Sequence, residues 1–576
     1  MAKRGSLAPD LILSGGRVLT MDAQNNVAEA VAIRDGSIVA VGADDDVLRL
    51  AGAGTEVIDL DGRPTLPGLT DCHVHLASDA GRAVNAAECR DFYDTSITSI
   101  PDLLDRLREQ AQQVAPGGWV VGRGSPLQDF RLRQGRLPTK QELDAAAPNN
   151  PCWISFGAHV IVTNSLAIKE KGITGDTPSP QGGTVVKDLN TGEPTGVFRE
   201  RAQFLIKAKD TGVEPVGLAE GIAIELEHCL RRGVTGIHDI IVSKEEVLAY
   251  QILQRQGRLP VRVSMLIRVI ESAFEKWSLL DTGIVQGFGS EWLQVGGIKM
   301  SIDGGFTGKN AAFREELVID GERHPGLIRI KQDELDETVE RYHAQGMRIC
   351  THAIGDVALD MILEAYEKAQ HKYPRQDHRH RVEHMGNWMM SPERIARAKA
   401  LQILPLANPP FLYFLGDPLI EMLGRRVTEH GFPFRTLWDQ GFRLSFGSDA
   451  PGYYPVDPLR DLGTAVAHET LNGVKLSGEE ALTMTEALRS QTINAAWTAF
   501  RERELGSLEV GKLADVTVLG DDPFTFAPER FHHLPVDLTV SGGKVVFTRD
   551  SATDGGAPLR RVAVAGGGSC SCACPH

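Results

Sequence analysis

Apolar and polar positions alternate in short runs over residues 11–60. Leu11-Ile12-Leu13, Arg17-Val18-Leu19-Thr20-Met21, residues 27–33 and residues 37–42 are such runs, broken by Gly15-Gly16 and by Arg34-Asp35-Gly36. A period of two interrupted by an Asp-Gly pair predicts strands joined as a β-hairpin or sandwich. The pattern returns near the other end, in residues 514–519, 536–540 and 544–547. Two β-rich ends around a different middle predict one small β-sandwich built from both termini. The alternative is two unrelated hairpins.

From about residue 67 to 501, strand-like apolar runs alternate with stretches of helical periodicity. The strand candidates are residues 66–76, 120–124, 233–239, 261–266, 296–300, 347–352, 379–384, 401–406 and 442–449. Helix candidates are residues 103–114, 220–231, 333–345, 358–370 and 392–400. Repeated βα units predict an α/β fold, a (β/α)8 TIM barrel with an inserted segment; a doubly wound sheet is the competitor. The expected boundaries are 1–66 and 502–550 for the two parts of the sandwich and 67–501 for the barrel. A lid-like insertion is expected at about 130–218, and a flexible Cys-rich tail at 551–576.

Composition narrows the class. A chain of 576 residues, 42% hydrophobic, exceeds what one core holds, about 250–300 residues. A net charge of −15 with no basic stripe speaks against a nucleic-acid partner. No apolar stretch nears the ~20 residues that span a bilayer, and residues 1–10 lack the apolar core of a signal peptide. Cys72, Cys89, Cys152, Cys229 and Cys350 stand singly, several inside apolar runs, as buried thiols in a reducing compartment do. A cytoplasmic location, a small-molecule substrate, no membrane partner and, by default, a homodimer are expected.

The candidate chemistry begins at Leu66-Pro67-Gly68-Leu69-Thr70-Asp71-Cys72-His73-Val74-His75-Leu76. Side chains alternate along a strand, so His73 and His75 share a face and make a clamp for a transition metal. Taken alone, the pair could equally be one packed core histidine and one surface histidine. Lys299, His352, His384 and Asp449 also end strand candidates, and in a barrel those ends share one mouth. Four histidines and an aspartate suit zinc or a similar divalent ion. A lysine ammonium has no lone pair to give a metal. Its neutral amine, favoured by burial, can react with carbon dioxide to form a carbamate able to bridge two ions. The alternative for Lys299 is a salt bridge to Asp303 or a neighbouring carboxylate.

The 66–76 run resembles the opening motif of the amidohydrolase superfamily. Residues 296–304, His352-Ala353-Ile354-Gly355-Asp356, Arg381-Val382-Glu383-His384 and Gly447-Ser448-Asp449-Ala450-Pro451 resemble its YtcJ-like branch, which includes N-substituted formamide deformylases. Residues 506–515 match the return into the β domain, so the likeness covers about residues 10–548. It implies a metal-dependent hydrolase of non-peptide C–N bonds in an amide, formamide or carbamate-like group. His73 and His75 would hold the more buried ion with Asp449 and a carbamylated Lys299, and His352 and His384 the second. A single-ion site of His73, His75, Asp449 and one of His352 or His384 stays open. Asp449 would take a proton from the activated water and pass it to the leaving nitrogen. A deaminase on the same scaffold and a non-catalytic scaffold protein are the alternatives.

His159 lies where related sequences carry a histidine near the substrate, although Val160-Ile161 departs from their Gly-His-Ser-like pattern. His238 ends a strand candidate. Both are candidate substrate contacts, with a packed, hydrogen-bonded histidine as the alternative for each. Residues 405–411 stand where a Gln-Pro pair is expected, and residues 304–310 form a second lid candidate without P-loop order. His371, His378, His380, His532 and His533 read as surface residues or supports of the site. Cys570-Ser571-Cys572-Ala573-Cys574-Pro575-His576 reads as a redox-sensitive end, with metal capture as the alternative.

Overall fold

The computed structural model describes residues 8–562 except 84–85, 94, 181, 208–213, 271–275, 316, 320–321, 325, 388–390, 453 and 551–558. The cluster of Cys570, Cys572, Cys574 and His576 lies outside the described residues. Eight strands make one parallel sheet: β1 (Leu69–Val74), β2 (Val234–Ile241), β3 (Arg262–Arg268), β4 (Leu293–Ser301), β5 (Ile349–His352), β6 (Arg381–Glu383), β7 (Leu404–Ala407) and β8 (Ser445–Phe446). They pair in chain order. The seam between β8 and β1 is joined just past β8, where Asp449 N donates to His73 O at 2.7 Å and His75 N to Ala450 O at 2.8 Å.

Helices cover the outside of this barrel, so its strands are buried on both faces and read as nearly continuous apolar runs. The helix Asp356–Lys372 shows how: Ala358, Leu359, Ile362, Leu363, Ala365, Tyr366 and Ala369 are its buried stripe, at the three- and four-residue spacing of one helix face.

The sandwich does use both ends of the chain. One sheet holds Leu11–Ser14, Ala30–Arg34, Ser37–Gly42, Glu56–Asp59 and Arg560–Val562. The other sets Arg17–Leu19, Val27–Ala28 and Pro64–Pro67 beside Val516–Leu519, Val536–Ser541 and Lys544–Thr548. Leu13, Val31 and Ile58 share one core with Val516, Val518, Leu538 and Val540. Asp35 (φ 51°) and Gly36 (φ 78°) turn the hairpin between Ala30–Arg34 and Ser37–Gly42, the left-handed pair that an Asp-Gly loop supplies. Pro64–Pro67 then runs directly into β1. Arg262 on β3 locks barrel to sandwich through Asp515, with Nε and Nη2 at 2.7 and 3.0 Å from its two oxygens.

One expected barrel strand belongs elsewhere. Val120–Gly124 pairs with Ala87–Glu88 and Cys152–Phe156 in a separate six-stranded sheet that also holds Val160–Thr163, Gly183–Lys187 and Pro194–Glu200. Leu103, Leu107, Val120, Ile154, Phe156 and Val162 form its own core. Its strands begin at Ala87, upstream of residue 130, and lie between β1 and the helix Pro215–Arg231 that leads to β2. Strand periodicity says that a segment is extended, not which sheet it joins.

His378 and His380 are not surface residues. They are 2% and 1% exposed, and with buried His343 they form a chain at the amino ends of β5 and β6. Ile349 N donates to His380 Nδ1 at 3.1 Å, so His380 Nε2 donates to His343 Nδ1 (2.7 Å) and His343 Nε2 donates to the Tyr373 carbonyl (2.7 Å). His378 Nδ1 accepts from His380 N at 3.0 Å, and its Nε2 donates to the Leu401 carbonyl at 3.0 Å. All three rings are thereby neutral. Burial pulls His378 down to about 4 and His380 well below the ordinary histidine value, while nearby Arg375 opposes protonation of all three. In the unfolded chain these rings take up protons at about pH 6.5. Their contribution to stability is therefore complete above that pH and is lost as the pH falls toward 4. The midpoint of urea unfolding should drop between pH 7.5 and pH 5, and drop less in a His378→Gln variant. Equal pH slopes for the two proteins would remove the cluster from the account.

Candidate metal centre

β1 points His73 into the barrel, and the chain just past β8 brings Asp449 to it. This approach needs glycine at 447, where a Cβ would sit 2.5 Å from His73 Cβ and 2.7 Å from His73 N. His384 (φ 70°) and Asp449 (φ 65°) both adopt left-handed backbone just beyond their strands, a conformation that collects at functional sites. Asp449 Oδ1 lies 3.1 Å from His73 Nε2 and 3.0 Å from His75 Nε2. One ligand atom from each of the three falls within 4.8 Å of the others. Two imidazole nitrogens and a carboxylate oxygen are a donor set that fits a divalent first-row ion.

The surroundings orient this set. His73 Nδ1 meets Glu383 Oε2 at 2.7 Å, which commits the Nδ1 proton to that carboxylate and turns Nε2 toward Asp449. Against burial and Lys299, the two carboxylates hold His73 above the ordinary histidine value, and a bound ion would take the place of the Nε2 proton. Glu383 is itself held by Arg381, whose Nε donates to Oε1 at 2.8 Å; both side chains are fully buried. Burial alone would raise Glu383, yet Arg381 and then His73 hold its carboxyl well below the usual range. Asp449 is likewise held down against burial, by His73 and His75. Burial pushes His75 down to about 4 and His384 to about 3, so both offer lone pairs at neutral pH.

His384 and His352 stand beside the three-residue cluster, with ring centres 5.1 Å (His73 to His384) and 4.7 Å (His384 to His352) apart. Asn408 Oδ1 takes the His384 Nδ1 proton at 2.8 Å, and Asn408 Nδ2 donates to the Gly447 carbonyl at 2.6 Å. His352 Nε2 faces the Gly304 carbonyl at 3.1 Å. Lys299 is 3% exposed, and burial lowers its ammonium to about 8. Among the described residues it makes no hydrogen bond or ion pair. Asp303 is not its partner: that carboxylate accepts from the backbone N–H groups of Ala312, Ile354 and Gly355 at 3.0, 3.1 and 2.7 Å.

His159 stands in the turn before Val160–Thr163, its Nδ1 2.8 Å from Glu200 Oε1. His238 is 2% exposed inside the barrel, where Arg381 Nη1 meets its Nδ1 at 3.2 Å. Two supports went unassigned in the sequence. Glu383 could have been found from the Arg381/Glu383 pair, two opposite charges on one face of an otherwise apolar strand. Asn408 supplies the seventh-strand contact that the missing Gln-Pro pair left open.

The sequence pattern of the amidohydrolase family matches residues 56–547. The chain is 30% identical over 550 residues to YtcJ of Bacillus subtilis (strain 168), an amidohydrolase by name, covering 93% of this chain and 99% of that protein. It is 31% identical over 559 residues to the N-substituted formamide deformylase of Arthrobacter pascens, covering 94% and 98%. An uncharacterized metal-dependent hydrolase from Pyrococcus furiosus superposes with a TM-score of 0.68 at 25% identity, over 89% of this chain and 100% of its own. Among the described residues, no helix is long and apolar enough to cross a membrane.

Proposed function

The chain belongs to the amidohydrolase family, and from that premise we propose that it hydrolyses a non-peptide C–N bond of a small amide, formamide or carbamate-like substrate. The observation that carries this reading is the placement of Asp449 Oδ1 3.0–3.1 Å from two imidazole nitrogens, with Glu383 fixing His73 from behind. His73, His75 and Asp449 would hold a divalent ion, Zn2+ by donor type, with His384 presented toward it by Asn408. A bound ion of this kind polarises a carbonyl and makes water acidic enough to attack near neutral pH. Asp449 takes the proton of the attacking water at its carboxylate and returns it to the leaving nitrogen. The C–O bond forms, the C–N bond breaks and the amine departs neutral.

Lys299 supports a second ion. A buried amine without a hydrogen bond, lowered by burial to about 8 although Glu383 and Asp449 oppose the shift, is partly neutral at working pH, which is what carbamate formation with carbon dioxide needs. The resulting anion would join His352 and His384 as ligands. The turn of His352 Nε2 to the Gly304 carbonyl favours instead a single ion, and with it the deaminase alternative. Metal analysis of the purified protein, paired with a panel of formamides, N-acyl amines, cyclic amides and amino-substituted heterocycles, separates these. The expected result is at least one divalent ion per chain and acid release from an amide. Ammonia from a heterocycle alone would hand the site to a deaminase, and a metal-free inert protein would leave a scaffold role.

A further inference from the structure

The inserted sheet and the barrel meet at one carboxylate. Glu200 closes the strand Pro194–Glu200 with φ 52° and ψ −130°, backbone that residues bearing side chains rarely enter and that persists where surroundings over-determine it. Those surroundings are specific. Glu200 Oε1 meets His159 Nδ1 at 2.8 Å, Glu200 Oε2 pairs with Arg329 Nη2, and Asn310 is a third partner. Glu200 N also donates to the His159 carbonyl at 2.9 Å. Arg329 is fixed in turn to the loop after β4, with Nε donating to the Asp303 carbonyl at 2.7 Å and its backbone N to the Ile302 carbonyl at 2.7 Å.

Glycines make the room. A Cβ at Gly308 would stand 2.5 Å from Glu200 Oε1, and one at Gly305 would stand 3.0 Å from His159 Nε2. His159 Nε2 therefore packs against Gly305, next to Gly304, whose carbonyl faces His352 Nε2. The Glu200 side chain is 3% exposed and that of His159 is 17% exposed, so the open edge of this pair is the imidazole.

We propose that Glu200 is a positioning residue for substrate recognition: it fixes His159 through Nδ1 and aims Nε2 at a polar group of the substrate lodged beside His352. The inference rests on the amide-hydrolase reading for its substrate but not for its geometry. Glu200 is an acceptor that no water can replace in kind, because its anion is shared between an imidazole and a guanidinium in a buried site. The substrate class that fits is an amide carrying a hydrogen-bonding group on the side facing the insertion.

The test uses the metal-loaded protein and three variants, Glu200→Gln, His159→Asn and the double replacement, on the best amide from the panel. Glu200→Gln should lower kcat/KM by about 10–100-fold, mainly through KM, as loss of an orienting partner does. In the His159→Asn background the same change should have no further effect, since Glu200 acts through that ring. Losses that multiply, or that fall on kcat alone, would overturn the proposal while leaving the hydrolase reading intact. A spectrum of 15N-histidine-labelled protein needs no substrate and decides even if no amide is turned over or Glu200→Gln fails to fold. One ring, absent in His159→Asn, should be locked as the Nδ1–H form in the wild type. A ring exchanging freely between tautomers would end the proposal.

Discussion

Asp449→Asn should lower turnover by about a thousandfold while the protein stays folded, because a carboxamide can neither accept the proton of the attacking water nor deliver it to nitrogen. The replacement is nearly isosteric, and asparagine tolerates the left-handed backbone at this position (φ 65°). The link that closes the barrel seam is made by the backbone N of residue 449 to His73 O, so it survives the change. What disappears is the charge. Its carboxylate is the anion between His73 and His75, held ionised against burial by both. Circular dichroism and metal content measured beside turnover separate the two roles of the group. A folded, metal-replete variant with turnover gone assigns the proton transfer to Asp449. Turnover within tenfold of wild type would take it out of that role, and loss of metal together with activity would leave it a ligand only.

The parts of this site that were legible in the sequence share one property. His73, His75 and Asp449, whose ligand atoms the structure brings within 4.8 Å of one another, each interrupt or end an apolar run, so a polar group stands out where burial is expected. The alternating pattern likewise gave the barrel strands and both halves of the sandwich, since each half-buried or buried strand carries its own local signature. What stayed hidden is pairing between distant segments. Val120–Gly124 looks like any other strand until its partners, Ala87–Glu88 and Cys152–Phe156, are known. His378-Arg379-His380 reads as a polar surface string, yet two of its rings are neutralised by hydrogen bonds to His343 and Leu401, which lie on other segments. Glu200 and His159, 41 residues apart, meet only because the inserted hairpins fold back on each other. Periodicity reports which residues want to be buried; it does not report which buried polar groups satisfy one another.

Glu383 is the clearest case of such a group, and Glu383→Gln should damage stability and metal binding by separate routes. Glu383 and Arg381 are both fully buried and face each other at 2.8 Å. Removing one charge of a buried pair leaves the other unpaired in low dielectric, a loss of about 3–5 kcal/mol. Glutamine can still accept one hydrogen bond, from Arg381 or from His73, but it offers no charge to either. His73 then loses the anion that fixes its Nδ1 proton and sharpens its Nε2 lone pair, and metal affinity should fall about 10–100-fold. A second replacement tells the routes apart. Combining Glu383→Gln with Arg381→Met removes the orphaned guanidinium, so the urea midpoint should recover in part. Metal affinity, read by competition with a chelator, should stay low because His73 remains unanchored. If affinity returned along with stability, the weakness of the single variant would come from a disturbed barrel interior, and Glu383 would hold no orienting role at His73.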